Sequence, residues 1–363
     1  MDPVSPAPVL SVLVPVYNTG SFLEPCLHSL AAQQVEGIEF ICLDDGSTDG
    51  SAEVLDTWAA RDNRFRVIHR PNGGYGKAVN HGISLARGKY IGIIESDDWI
   101  EPTKYEKLYN RAEETGADVV KCMFWKYDST RPEGQQDELY AGRIGRLQDA
   151  PDTPFRPLEW PPVFAFHASL WSNLYRAELL RQVPIIETAG AGYQDLPFIM
   201  EILARAGKMS ILKEPLLHYR VEEGQGSSTT CNDERLLRMP AMSQCAHDIL
   251  EQLGMLPAVK EAFYLQVFLA NATFQRSIRP EFSQQYFDAY HKLLKPIHSH
   301  RPGFPLHLFL SQGKMPRPHH RRWWQRQKPE ETLGHPPPPR RRFHPATQRA
   351  RYRFLEAHSS ITA

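Results

Sequence analysis

Along the first 125 residues the apolar positions switch repeatedly between two periods. Residues 9–16, 39–43, 65–69, 90–94 and 117–125 are short runs rich in Val, Ile, Leu and Phe, and each predicts a buried strand. Between them, residues 22–34, 51–62, 75–87 and 102–115 predict helices. Leu23, Leu27 and Leu30 share one face of the first, and Val54, Leu55 and Trp58 turn inward on the second. Ser21 stands where it would cap the first helix, and Pro102 where a first helical turn tolerates it. Strands alternating with helices of this length predict parallel β-α-β units. The period is lost over residues 126–162, which are polar and contain Gly and Pro, and predict a long loop or insertion. Helix and strand pieces resume at 174–180, 197–206 and 209–219. Residues 235–297 read as mainly helical, with an apolar stripe that includes Phe263, Val267 and Phe268.

The division expected from this pattern is a loose N-terminus (1–8), an α/β domain (9–220), a helical accessory region (221–313) and a tail (314–363). With 363 residues, 41% of them hydrophobic, the chain can bury a core of that size. Its 42 acidic residues balance 42 basic ones, which argues against a whole-molecule polyanion binder. The basic residues are concentrated late, as in His319-His320-Arg321-Arg322-Trp323-Trp324 and Pro339-Arg340-Arg341-Arg342. This tail holds no period and reads as disordered on its own. It leaves open a plain solvated tail or peripheral contact with an anionic membrane; nucleic acid is not an expected partner. Five cysteines without C-x-x-C spacing predict a reduced, cytoplasmic protein with neither a disulfide framework nor a zinc site. No apolar run approaches the roughly 20 residues of a membrane span. The start lacks a signal pattern.

The candidate chemistry lies where two of the apolar runs end. Asp44-Asp45 closes one and opens into Gly46-Ser47-Thr48-Asp49-Gly50; Glu95-Ser96-Asp97-Asp98 follows another. In an open α/β sheet, ligands bind at the carboxyl ends of strands. Carboxylates gathered there repel one another unless a cation or a donor-rich ligand shares them. A divalent metal with a nucleotide diphosphate suits such a site, because hard cations take oxygen ligands and bridge to phosphates. Gly73-Gly74-Tyr75-Gly76 has neither the spacing of a dinucleotide fingerprint nor the Ser/Thr of a Walker loop.

Four segments occur in order: Val14-Pro15-Val16-Tyr17-Asn18, Asp44-Asp45-Gly46-Ser47-Thr48-Asp49, Asn72-Gly73-Gly74-Tyr75-Gly76-Lys77-Ala78-Val79-Asn80-His81-Gly82, and Glu95-Ser96-Asp97-Asp98. Together they resemble a family-2 glycosyltransferase with the GT-A fold, of the bacterial type that builds surface polysaccharides, over roughly residues 9–220. The resemblance implies a mostly parallel central sheet, a nucleotide-sugar donor (usually a UDP-sugar), a divalent metal (Mn²⁺ or Mg²⁺) and a glycan or lipid-linked acceptor. It also implies roles. Asp45 would accept a hydrogen bond from the base, with Pro15, Val16 and Tyr17 lining the same pocket. Asp97 would lie near the ribose and Asp98 would bind the metal. Asp195, in Gly190-Ala191-Gly192-Tyr193-Gln194-Asp195, would be the catalytic base. Trp171-Ser172-Asn173-Leu174-Tyr175-Arg176 resembles an acceptor-side wall, and His218-Tyr219-Arg220 with Ser227-Ser228-Thr229 a closing stretch near the diphosphate.

Two departures matter. Gln194 stands where the family commonly has Glu, and Val79 where many relatives have Arg. Lys77 becomes the candidate for the phosphates, as a point charge rather than a bidentate fork. Two readings stay open: an inverting, metal-dependent transferase, or a catalytically silent module of the same fold that binds a nucleotide-sugar or a partner glycosyltransferase. His218 is either packed or a metal ligand.

Overall fold

The computed structural model describes residues 7–140, 147–187, 192–221 and 232–294. The basic tail, Ser227-Ser228-Thr229 and Gly190-Ala191 lie outside the described residues.

The first half of the fold follows the apolar pattern. β1 (Leu10–Val16), β2 (Ile38–Asp44), β3 (Phe65–His69) and β4 (Tyr90–Ile93) alternate with α1 (Leu23–Ala31), α2 (Ser51–Arg61) and α3 (Tyr75–Leu85). All residues of β1 and β2 are buried, as helices on both faces of a parallel sheet require. The four strands pair in parallel, with Val16 opposite Asp44 and Asp44 opposite His69, so their carboxyl ends line up. The first helix is shorter than its pattern, because Gly20–Phe22 form a 3-10 turn and Ser21 makes no cap hydrogen bond. Pro102 lies just ahead of α4 (Lys104–Thr115) rather than inside it.

The second half is mixed. β5 (Trp99–Ile100), β6 (Val119–Tyr127), β7 (Asp137–Leu139), β8 (Asn173–Arg176) and β9 (Met209–Arg220) complete one sheet in the order β3-β2-β1-β4-β8-β6-β9-β5, with β7 on β6. β8 runs antiparallel between β4 and β6, so those two point the same way, and β9 is parallel to β6. The carboxyl ends of β1, β2, β3, β4, β6 and β9 therefore share one rim. β7 forms inside the stretch expected to be a loop, where Leu139 pairs with Trp125.

α5 (Ala177–Leu180) and α6 (Asp195–Arg205) pack on this half, followed by α7 (Arg238–Gln252), α8 (Leu256–Ser277) and α9 (Pro280–Leu294). Leu236, Val259, Phe263 and Tyr286 belong to the same continuous apolar core as the sheet, so the helical region is joined to it rather than separately cored. A buried polar chain fastens the last three helices: Asn271 donates to Ser243 Oγ at 3.1 Å, and Tyr286 donates to Asn271 Oδ1 at 2.9 Å. No described helix is long and apolar enough to cross a membrane.

Candidate active site

The rim at β1, β2 and β3 is built by short loops that satisfy their own carboxylates. Asp44 Oδ1 accepts Ser47 N–H at 2.9 Å, and its Oδ2 pairs with His69 Nδ1 at 2.8 Å. His69 is held above the usual imidazole range by hydrogen bonds to Asp44 and Asp56. The loop after β1 is tied across: Asn18 Oδ1 accepts Thr48 N–H, and Asp49 Oδ2 accepts Gly20 N–H, both at 2.8 Å. Of the three residues expected to line the base pocket, Pro15 and Val16 are buried strand residues. Only Tyr17, 53% exposed, presents its side chain to the rim.

Asp45 is buried and fully engaged by the chain. Its oxygens accept the Gly73 N–H at 3.1 Å and the Gly74 N–H at 2.7 Å, and Arg70 Nε lies 3.1 Å from Oδ1. These three donors occupy most of the roughly four lone-pair sites of a carboxylate, so the residue expected to meet the base also shapes the Gly73-Gly74 turn. A Cβ on Gly73 would lie 2.7 Å from Arg70 Nη2 and 3.1 Å from Lys77 Cδ, so two cations flank this turn. Lys77 is exposed on the first turn of α3, whereas Val79 is wholly buried. Arg70, at the end of β3, was not singled out in the sequence; a basic residue directly before Pro71-Asn72-Gly73 was the available signal.

Burial alternates through the acidic turn after β4: Glu95 is half-buried, Ser96 buried, Asp97 exposed and Asp98 1% exposed. Asp98 faces inward. Its Oδ1 accepts the Arg220 N–H at 2.9 Å, and its Oδ2 is buried without a hydrogen-bond partner. Burial, reinforced by the Asp97 charge, holds its carboxyl well above the usual range. The buried Lys104 is electrostatically coupled to it and donates to the Trp171 carbonyl at 2.8 Å. The metal role expected of Asp98 would need the ion to meet an inward-facing carboxylate; of its acidic neighbours, Asp97 is exposed and Glu95 half-buried.

Glu95 accepts a hydrogen bond from the Tyr75 hydroxyl at 2.6 Å. Burial raises its carboxyl to about 8, with help from Asp97 and Asp195 and against the Tyr75 hydrogen bond. Asp195 also acts on Tyr75 electrostatically, which brings the first residue of α6 to the acidic turn. Burial raises the Asp195 carboxyl to about 6, moderated by backbone N–H groups at the start of its helix.

α3 positions the approach to Asp195. Asn80 donates to the Ile185 carbonyl at 2.8 Å and to Glu187 Oε1 at 2.7 Å, and accepts the Ile185 N–H at 2.9 Å. Gly76 permits this contact, since a Cβ there would lie 2.0 Å from the Ile186 carbonyl oxygen. Gln194 is buried, with its amide 3.4 Å from the same carbonyl, so it packs behind the site. Tyr193, just before it, has φ 61°, a strained value for a residue with a side chain.

The far part of the rim is clamped from β9. Arg220 donates from Nε to the Asp97 carbonyl at 3.0 Å, and its guanidinium lies over Phe22, Trp99 and Tyr127 at 4.4, 5.0 and 5.3 Å. His218 stacks on Trp99 and uses both ring nitrogens, at 2.8 Å to Asp137 and 3.0 Å to Glu101. In this structure His218 is packed, with both ring nitrogens engaged by carboxylates. Among the described residues, the one group of three ligand-type side chains within mutual reach is His247, Asp248 and Glu251 on α7, away from this rim. An ion at Glu95 and Asp97 would thus take two protein carboxylates, a donor set that fits Mg²⁺ or Mn²⁺ completed by phosphate and water oxygens.

Comparison with known proteins agrees with this architecture. Residues 11–182 match the sequence profile of glycosyl transferase family 2. The uncharacterized glycosyltransferase EpsJ of Bacillus subtilis is 34% identical over 221 residues, covering 59% of this chain and 61% of EpsJ. The glycosyltransferase GlyG of Streptococcus pneumoniae is 45% identical over 123 residues, covering 34% of this chain and 41% of GlyG. The chain thus spans less than two thirds of these relatives' length. The structure of S. aureus TarS residues 1–349 in complex with UDP-GlcNAc superposes with a TM-score of 0.59 at 21% identity, over 79% of this chain and 80% of that one. The fold is therefore GT-A-like, and residues 11–182 match glycosyl transferase family 2.

Proposed function

We propose that this protein transfers a sugar from a nucleotide-diphospho-sugar, in the family's usual case a UDP-sugar, to a hydroxyl of a glycan or lipid-linked acceptor. The observation that carries this reading is the hydrogen bond from Tyr75 to Glu95 at the strand-end rim where Asp97 is exposed, with Asp195 at the start of α6 acting electrostatically on both. Asp195 takes the proton of the attacking hydroxyl; a carboxyl raised to about 6 is a stronger base than an ordinary aspartate and is still ionised at neutral pH. The acceptor attacks opposite the departing diphosphate in one displacement, so the anomeric configuration inverts. Arg70 and Lys77 supply positive charge beside the Gly73-Gly74 turn. Tyr17 packs on the base, and Asp45 keeps the turn in shape.

In this reading a divalent cation is held by Glu95 and Asp97 rather than by Asp98. When bound, it would neutralise charge gathering on the diphosphate. The UDP assignment draws on the family resemblance, and TarS, of the same fold, is crystallised with UDP-GlcNAc. The silent-module alternative rested on Gln194 and Val79. Both side chains are buried, so neither departure removes a group from the open rim.

The test is UDP release from a panel of UDP-sugars with Mn²⁺ or Mg²⁺, with and without glycan acceptors. Metal-dependent release that disappears in Asp97→Ala and Asp195→Ala supports the proposal. UDP binding without turnover on any acceptor favours the silent module.

A further inference from the structure

Tyr75 is the first residue of α3, and its hydroxyl reaches Glu95 Oε1 at 2.6 Å. The helix that carries it is anchored: Asn80 grips Ile185 and Glu187, and Gly76 lies against Ile186 with no room for a side chain. The phenol is thus presented from a fixed element. Its partner has the right length. An Asp at position 95 would withdraw the carboxylate by about one C–C bond, roughly 1.5 Å, beyond hydrogen-bond reach of that hydroxyl. Asp97 and Asp195 both act electrostatically on Glu95, and Tyr75 is the uncharged donor to it.

We propose that Tyr75 is a positioning residue that holds Glu95 through Oε1 and leaves Oε2 to a divalent cation. This inference rests on the reading that Glu95 and Asp97 bind the ion. A ligating carboxylate whose supporting hydrogen bond is removed typically loses about 10- to 100-fold in metal affinity. The bond also links the ion site to the helix that positions the approach to Asp195, so the two halves of the reaction share one support.

The experiment is an Mn²⁺ titration of UDP binding to the full chain, followed by calorimetry, for wild type, Tyr75→Phe, Glu95→Asp and the double variant. In Tyr75→Phe the Mn²⁺ concentration for half-saturation should rise about tenfold, with UDP affinity at saturating Mn²⁺ within about twofold and the ligand-free melting temperature unchanged. Glu95→Asp removes the same contact and also draws back the ligand oxygen, so its rise should be at least as large; Tyr75→Leu, which likewise lacks the hydroxyl, serves if Tyr75→Phe fails to fold. The double variant should be no worse than the more affected single one, because both remove one interaction. A folded Tyr75→Phe that titrates like wild type, while Glu95→Ala abolishes the Mn²⁺ dependence, overturns the role of Tyr75 and leaves the ion site standing. Wild-type binding indifferent to Mn²⁺, or unchanged in Glu95→Ala and Asp97→Ala, overturns the ion reading and this inference with it.

Discussion

The two halves of the rim hold their polar groups in different ways. At β1, β2 and β3 the carboxylates are satisfied by the other loops of the parallel half: Asp44 by Ser47 and His69, Asp49 by Ser51 and Gly20, Asp45 by Gly73, Gly74 and Arg70. At β4, β6 and β9 the acidic turn is also held from the second half of the chain: Arg220 donates its N–H to the Asp98 carboxylate and its Nε to the Asp97 backbone carbonyl, Asp195 stands at the start of α6, and Tyr75 bonds Glu95. The first half is a preformed cradle, close to electrically closed. The second keeps its carboxyls raised by burial. The contrast lies in the donors: Asp44 and Asp45, though buried, are met by several donors, whereas Asp98 keeps one oxygen unpartnered.

The largest expected effect separates chemistry from donor binding. Asp195→Asn should cut turnover by about 10²- to 10⁴-fold while UDP affinity stays near wild type, read from initial rates and calorimetry. Equal loss of UDP binding would mean that Asp195 belongs to the cradle, and the comparison would break.

Next comes the acidic turn itself. Asp97→Asn should lose metal-dependent turnover by about 100-fold, whereas Asp98→Asn should lose at most a few-fold, since an amide oxygen still accepts the Arg220 N–H. The reverse ranking would return the ion to Asp98.

Removing the clamp is milder. Arg220→Ala deletes a charge-assisted hydrogen bond and contacts with three rings, together worth about 2 kcal/mol. Half-saturation by Mn²⁺ should rise and the melting temperature fall, with Arg220→Lys between it and wild type.

The pH profile sharpens the assignment of the base. With Asp195 titrating at about 6, its ionised fraction grows as pH rises. The limiting rate should increase about tenfold from pH 5 to pH 7, and Asp195→Asn should flatten that limb.

The smallest effect is on stability. A carboxyl raised in the folded state binds its proton more tightly there than when unfolded, so stability is lost as pH rises from the unfolded value through the folded one. Asp98 and Glu95 are both raised. The ligand-free protein should therefore melt lower at pH 8 than at pH 5.5 on their account. Asp98→Asn should recover a few degrees at pH 8 and little at pH 5.5.

The parallel half was legible because each of its parts is local. A strand buried on both faces must be continuously apolar, and the turn that follows it must carry its own acceptors, so Leu10–Val16, Ile38–Asp44 and the loops after them announce themselves. Asp45, Lys77, Asp97 and Asp195 were visible as candidates in the same way. What each one touches was not. Adjacent carboxylates such as Asp97 and Asp98 are chemically alike, and only the packing of Arg220 and Lys104 against the turn decides which faces inward. The pairing of Tyr75 with Glu95, the grip of Arg70 on Asp45 and the antiparallel insertion of β8 likewise join residues far apart in sequence.

The sequence by itself determined the strand–helix alternation, the acidic turns at the ends of β2 and β4, and the family resemblance. The tertiary structure decided which carboxylates are buried and which donors each one meets. The reason is that a carboxylate's role depends on its burial and on its hydrogen-bond donors, and both come from elements that the chain brings together only when it folds.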